Sequence, residues 1–340
     1  MDWFERITGV PEGPYEETQA ALSVVDGRLR CRGGGYSYGA GTLSLPSLAE
    51  LRAQAMAARR SGPSRLSIVQ GDVRALHRAP ENRGALFQVA SQFNLLEMVG
   101  PDVEPEDGVT RYAHDHTQGP ACAMAAGAAT IYRNYLVPVD GRIGQSADRQ
   151  LDGLADLGQA LATRIGTQVS DLWSMRNGYA LPTRDGLAKI GRHLQVANAA
   201  TLDAIRGLLR VGLHVDVEVT DGPAPGPRVS QIFCSALPIA YGKQPAANWA
   251  PFARLVLEGA YEATLLAGVL NAACGVSNRV LLTRLGGGAF GNADSWIDAA
   301  LLRALQIAGG YDLDVVIVSH GVPTPALYDL VCASGISGPR

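Results

Sequence analysis

Long hydrophobic runs are missing from this chain. The longest apolar stretch, Leu265 to Cys274, is far shorter than the roughly 20 residues a bilayer requires, and it continues a helical pattern with Glu258 and Glu262. The first ten residues carry Asp2, Glu5 and Arg6 where a signal peptide has its apolar core, so neither a secretory signal nor a membrane anchor is expected. Cysteine is scarce: Cys31, Cys122, Cys234, Cys274 and Cys332 lie far apart and form no CxxC pair. An odd, dispersed set predicts reduced thiols in a cytoplasmic protein. No histidine stands at ligand spacing from them, so neither structural zinc nor another metal is expected. An excess of one charge is also lacking. With 29 Lys+Arg against 32 Asp+Glu, the net charge of −3 excludes binding nucleic acid by bulk phosphate neutralisation, the local Arg28, Arg30 and Arg32 notwithstanding. No internal repeat is visible.

What is present is globular. Of 340 residues, 47% are hydrophobic and 18% charged, enough for a large core and outside the disordered class. The length suits two domains, or one with insertions. The 40 glycines and 19 prolines give loops much of the organisation. The first sixty residues read as an irregular arm, with Gly33-Gly34-Gly35 in a tight surface loop, then a helix from Leu48 to about Arg60 capped by Ser47. Short apolar strands are expected at Arg65–Val69, Ala85–Ser91, Leu213–Thr220, Val229–Ala236, Arg279–Thr283 and Leu313–Ser319. Long helices are expected at about Trp249–Ala273 and Asp294–Ala308, and helical stretches at about Ala121–Tyr132 and Ala147–Arg164. Strands alternating with helices give an α/β layered fold with a mostly parallel or mixed sheet. The surplus length falls before residue 60 and between about 100 and 210.

The clearest chemical signal is RVLLTRLGGGAFGNADSWIDAALLRAL, Arg279 to Leu305. An apolar strand enters Gly286-Gly287-Gly288, passes Ala289-Phe290-Gly291, and opens a helix. Free backbone N–H groups and the helix dipole make such a place suited to phosphate, and glycines let the ligand approach. No Lys-Ser/Thr follows, so it is not a Walker loop, and the spacing departs from the dinucleotide GxGxxG. Phe290 has reason to cover a ribose. A second element is LSIVQGDVRAL, Leu66 to Leu76, in which a strand ends in Gly-Asp, followed by ALFQVASQFN.

This ordered set resembles the macrodomain family, the ADP-ribose-binding α/β/α fold. The resemblance implies that Asp72, in the Gly-Asp-Val motif with Val73, receives the adenine amino group. It implies that the segment with Gln92 and Asn94 lies near the distal ribose, and that Gly286, Gly287, Gly288, Ala289, Phe290 and Gly291 hold the diphosphate. The usual Ala-Asn is replaced by Gln92-Phe93-Asn94, the glycine run that normally follows is missing, and over a hundred residues separate Asn94 from the next core strand. With FQVASQFNLLEM and TQGPACAMAAGAATIYRNY, which adds Thr117 and Gln118 to the ligand-binding set, the chain resembles the MavL-type branch of atypical macrodomains. That branch removes ADP-ribose from arginine, notably on ubiquitin.

Hydrolysis at the distal ribose passes through an oxocarbenium-like state and needs carboxylates to orient water and hold the leaving side chain. The segment PEDGVTRYAHDHTQGP supplies them, and Asp107 and Asp115 are the expected acidic pair; Glu97 is a third candidate. His114, His116 and Cys122, a thiol near a helix start, are weaker catalytic candidates, and Trp173, Arg176, Asn177 and Tyr179 are candidates for a cleft wall. The expectation is a three-layer α/β/α macrodomain-like mixed sheet with an N-terminal extension and a helical insertion. Residues 1–60 form an arm and helix packed on the core, and residues 61–340 the catalytic domain. The expected activity is an ADP-ribosyl hydrolase acting on arginine-linked protein, with ubiquitin a candidate substrate, ADP-ribose as ligand and product, and no cofactor. A non-catalytic ADP-ribose reader is the alternative.

Overall fold

The sheet at the centre of the molecule follows from the apolar runs read above. In the computed structural model, which describes residues 1–32, 36–58 and 60–336, seven strands form it. They are β1 (Thr42–Ser44), β2 (Arg65–Gln70), β3 (Leu86–Ala90), β4 (Gly212–Glu218), β5 (Arg228–Cys234), β6 (Arg279–Leu282) and β7 (Asp314–Ser319), in the order β1-β4-β5-β3-β6-β7-β2. From β5 to β2 the neighbours are parallel, whereas β4 is antiparallel to both β5 and β1. The register sets Phe87 beside Leu281, and Leu281 beside Val316.

The period-two alternation of side chains sorts each strand between two cores. Leu86, Ile232, Val280, Leu282, Val315 and Ile317 face a core shared with the helices Leu48–Ala55, Ala246–Ala273 and Asp294–Ala308. Phe87, Val89, Phe233, Leu281 and Val316 face the opposite side, against Val73 and the small residues Cys122, Ala126 and Ala129. The result is the mixed α/β three-layer arrangement expected from the sequence. Helix Asp294–Ala308 has the bounds its apolar spacing predicts, and Ser47 forms a capping box with Glu50, its Oγ accepting from Glu50 N at 3.2 Å.

The first sixty residues are more ordered than the composition suggested. Helices Trp3–Thr8 and Tyr15–Ala21 lead into a small antiparallel sheet of Leu22–Val25, Arg28–Cys31 and Ser37–Gly39, and β1 then joins the edge of the main sheet. Short elements of this kind are held by packing, and their weak local pattern hid them: Trp3, Phe4 and Ile7 bury against Leu96, Met98, Val109, Tyr112 and Tyr135 in a third core. The helix after Ser47 ends at Ala55 rather than near Arg60. The expected Gly33–Gly35 loop lies outside the described residues.

Between β3 and β4 the chain forms helices Gln118–Ala125 and Gly127–Ile131, a π-helical turn Tyr132–Leu136, and helices Ala155–Ile165, Arg184–Val196 and Ala199–Gly207. It also forms the hairpin Trp173–Arg176/Tyr179–Pro182, which carries the residues expected as a cleft wall. A final helix, Pro325–Ala333, was not anticipated. Among the described residues no helix is long and apolar enough to cross a membrane.

Candidate active site

A cleft of about 550 Å³ opens at the carboxyl ends of β2, β3, β6 and β7, where parallel α/β sheets place their ligands. Four segments distant in sequence meet there: Gly71–Arg74 after β2, Ala90–Gln92 with Glu97–Val99 after β3, Asp115–Ala121, and the loop after β6.

The loop after β6 is turned by Gly286, whose φ of +76° favours glycine and at which a Cβ would stand 2.5 Å from Ala236 Cβ. The amides of Gly287, Gly291 and Asn292 donate to Arg284, Gly288 and Gly286 carbonyls, and Phe290 O accepts from Ala240 N. Gly288, Ala289 and Phe290, which line the cleft, are left with amides that have no acceptor among the described residues. Gly286, Gly288, Ala289 and Phe290 line the cleft; Gly287 and Gly291 shape the loop without lining it. The Phe290 ring packs 5.4 Å from Tyr179 and 5.9 Å from Tyr241, giving one wall three aromatic rings.

Asp72 and Val73 also line the cleft. Asp72 is exposed at the rim, and its Oδ1 caps the helix Val73–Arg78 by accepting from Arg74 N at 2.9 Å. The Arg74 guanidinium is held by two 2.9 Å bonds to buried Asp221.

The middle of the cleft holds the segment that links β3 to the insertion. Gln92 lines it, donating to Tyr179 Oη at 3.3 Å and accepting from Met98 N at 2.9 Å, while Tyr179 Oη donates to Met98 O at 2.7 Å. Asn94 does not reach the cleft. It is fully buried behind the wall, donating to Gln150 Oε1, which leads to Asn177 and Pro101 O. Thr117 and Gln118 line the cleft, but the Gln118 amide is committed to β3, accepting from Ala90 N at 2.9 Å and donating to Gln88 O at 2.8 Å.

The carboxylates divide differently from the sequence expectation. Asp115 lines the cleft and caps Thr117 N at 2.8 Å. Asp107 stays on the surface, half-exposed, capping Glu104 N and facing Arg111 at 3.5 Å, so the fold does not bring the two together. In its place stands Glu97, only 2% exposed, lining the cleft with neither carboxyl oxygen hydrogen-bonded. Among the described residues the charge facing it is Arg133, 3.6 Å away, within ion-pair range and beyond a hydrogen bond. Burial pushes the Glu97 carboxyl up to about 8, and Arg133 only partly offsets this. A carboxyl poised near neutrality in a cleft can give or take a proton at working pH.

Of the remaining candidates, His116 lines the cleft, whereas His114 is exposed outside its lining. Cys122, a weaker candidate, is fully buried toward the sheet, and desolvation holds its thiol well above its ordinary value. Trp173 packs on Phe252 in the main core, Arg176 pairs with Asp102 at the surface, and Asn177 is buried; of that group Tyr179 alone lines the cleft. Sequence reasoning passed over Arg133, although a lone arginine in the small-residue run Ala125–Ile131 and its continuation was a readable signal. Among the described residues no group of three His, Cys, Asp or Glu side chains is placed to share a metal ion.

No family model matches the chain. No curated protein matches it either. Among solved structures it is similar to poly(ADP-ribose) glycohydrolase from Thermomonospora curvata, at 13% identity over 94% of this chain and 95% of that one, with a TM-score of 0.47. It is similar also to the same enzyme bound to the inhibitor ADP-HPD, at 12% identity over 94% of each chain and a TM-score of 0.45. A third is poly(ADP-ribose) glycohydrolase from Deinococcus radiodurans in complex with ADP-ribose, at 12% identity over 86% and 93%, with a TM-score of 0.44.

Proposed function

We propose that this chain is a macrodomain-type hydrolase that removes ADP-ribose from modified protein side chains by attack of water at C1 of the distal ribose. The observation that carries the reading is Glu97, a buried carboxyl without a hydrogen bond, poised near pH 8 in a cleft that also presents free loop amides and an aromatic wall. The Gly288–Phe290 amides suit a diphosphate, Phe290 and Tyr179 suit the distal ribose, and exposed Asp72 suits the adenine amino group.

The linkage we assign is arginine, with ubiquitin as a candidate carrier; both rest on the MavL-type resemblance of the sequence. In that reaction Glu97 takes a proton from water, the water oxygen bonds to C1, and the C–N bond breaks with its electron pair going to nitrogen. The guanidinium leaves as neutral guanidine, held by Asp115. The dispersed free cysteines support a cytoplasmic setting.

The test is release of ADP-ribose from ADP-ribosyl-arginine protein between pH 6 and 9.5 by the wild type, Glu97→Gln and Asp115→Asn, with ADP-ribose affinity measured by calorimetry. We expect a rate that rises through about pH 8 as Glu97 ionises. Glu97→Gln should lose at least ~100-fold in turnover while keeping its affinity. An oxygen-linked substrate needs the protonated form of Glu97 instead, so a rate confined to serine-linked substrate and falling above pH 8 would replace the linkage assigned here. ADP-ribose binding with no release from either substrate would leave a reader, and absence of binding would sink the whole assignment.

A further inference from the structure

We propose that Arg133 is the positioning residue of this site, an immobilised cation facing Glu97 across a short gap that sets when the carboxyl parts with its proton. The proposal builds on the hydrolase reading but stands on separate geometry. Arg133 has no exposed surface, and its ion pair with Glu97, at 3.6 Å, is made without a hydrogen bond between them. Its Nε donates to Leu95 O at 3.1 Å, its Nη2 donates to Thr130 Oγ1 at 3.1 Å, and its guanidinium lies 3.8 Å from the centre of the Phe233 ring. Thr130 Oγ1 is itself fixed, donating to Ala123 O at 2.7 Å.

These contacts tie the cation to three places at once: the Leu95 carbonyl in the segment after β3, the helix before its own π-helical turn, and strand β5. π-turns recur where a helix must aim one side chain at a functional site. The Leu95 carbonyl it holds belongs to a residue with φ +64°, an unfavourable conformation for a leucine, two positions before Glu97. The same guanidinium therefore braces the strained segment and faces the carboxyl that segment presents.

The groups facing Glu97 are few. Tyr112 Oη accepts from Glu97 N at 3.1 Å, and Cys122 lies on the adjoining helix. Burial holds both hydroxyl and thiol far above their ordinary values, so they stay neutral. Gly119 brings its helix against the Glu97 Cγ without adding a charge. His214, whose Nδ1 lies 3.5 Å from Arg133 Nη1, is also fully buried and held well below its ordinary value, so it too stays neutral. Arg133 is thus the charge that answers when Glu97 ionises. A guanidinium cannot lose its own proton in this range, so its response has one sign only.

The experiment is a carboxyl carbon-13 NMR titration of Glu97 in the full chain, in wild type, Arg133→Gln and Arg133→Lys, alongside the pH–rate profile of each. With the cation removed, the Glu97 midpoint should rise by at least ~1 pH unit, and the pH–rate limb should move with it. Lysine keeps the charge on a mobile stem and should bring the midpoint part of the way back. Should Arg133→Gln fail to fold, Arg133→Lys against wild type still reads the shift. A Glu97 midpoint unmoved in every folded variant, with turnover merely scaled down at all pH values, would overturn the proposal and make Arg133 a structural residue. The titration needs no turnover, so a chain that hydrolyses no ADP-ribose linkage sinks the functional reading without deciding this one.

Discussion

Glu97 shows how one residue's environment reaches both function and stability. The folded chain holds its proton up to about pH 8, whereas a solvated glutamate releases it near 4.5. Stability from this group is therefore complete below about pH 4.5 and declines as pH rises through 8, at up to ~1.4 kcal/mol per pH unit. Glu97→Gln cannot ionise, so its unfolding free energy should fall less steeply than wild type across pH 5–8. Denaturant titrations at several pH values measure this, and parallel curves would show that the wild-type carboxyl does not hold its proton to that pH. At the same scale, Asp107 and Asp115 show what residue type alone leaves open. Both are acids in one loop, but one caps a surface turn beside Arg111 and the other lines the cleft and accepts from Thr117 N.

At the scale of elements, the site depends on how closely the helix Gln118–Ala125 approaches β3. Gly119 makes that approach possible, since a Cβ there would lie 2.0 Å from Ala90 O and 3.0 Å from Glu97 Cγ. The two Gln118 hydrogen bonds to β3 then fix the helix start against the strand end. Gly119→Ala should cost ~2 kcal/mol or more and lower turnover, because backbone rather than a flexible side chain blocks the added methyl. Thermal unfolding and initial rates would check it, and a variant equal to wild type in both would show that the helix can shift freely. Elements with strong periodicity were legible in advance. β2, β3, β5, β6, β7 and helix Asp294–Ala308 follow from apolar runs punctuated by glycine or polar turns. β1, only three residues long, and the hairpin Trp173–Arg176/Tyr179–Pro182 exist because a neighbouring strand supplies their hydrogen bonds, so their local pattern is weak.

At the scale of the whole molecule, the N-terminal arm belongs to the site's support. Glu12 accepts from Val109 N, Thr110 N and Thr110 Oγ1 and from Tyr135 Oη, each within 2.8 Å. This clamps the arm to the segment leading to Tyr112 and Asp115, and to the π-turn that carries Arg133. Glu12→Ala leaves four donors without their acceptor and should lower stability by about 2–4 kcal/mol. Under the proposed hydrolase reading it should also slow turnover while ADP-ribose affinity is kept. Calorimetric unfolding and a binding titration separate these effects, and unchanged stability would mean the arm is only an appendage.

The sequence by itself determined the α/β alternation, the glycine loop with its aromatic, and the Gly-Asp strand end, because each rests on local chemistry: side-chain period, backbone freedom and turn residues. It also supplied every acid the cleft could use. Only the tertiary structure decided which of those acids is buried, which amides are left without acceptors, and that Arg133 stands opposite Glu97 from 36 positions further along the chain. Burial and charge pairing arise between segments that meet only when the sheet is assembled. A carboxyl's readiness to hold or release a proton is therefore a property of the folded molecule, and no local pattern around Glu97 encodes it.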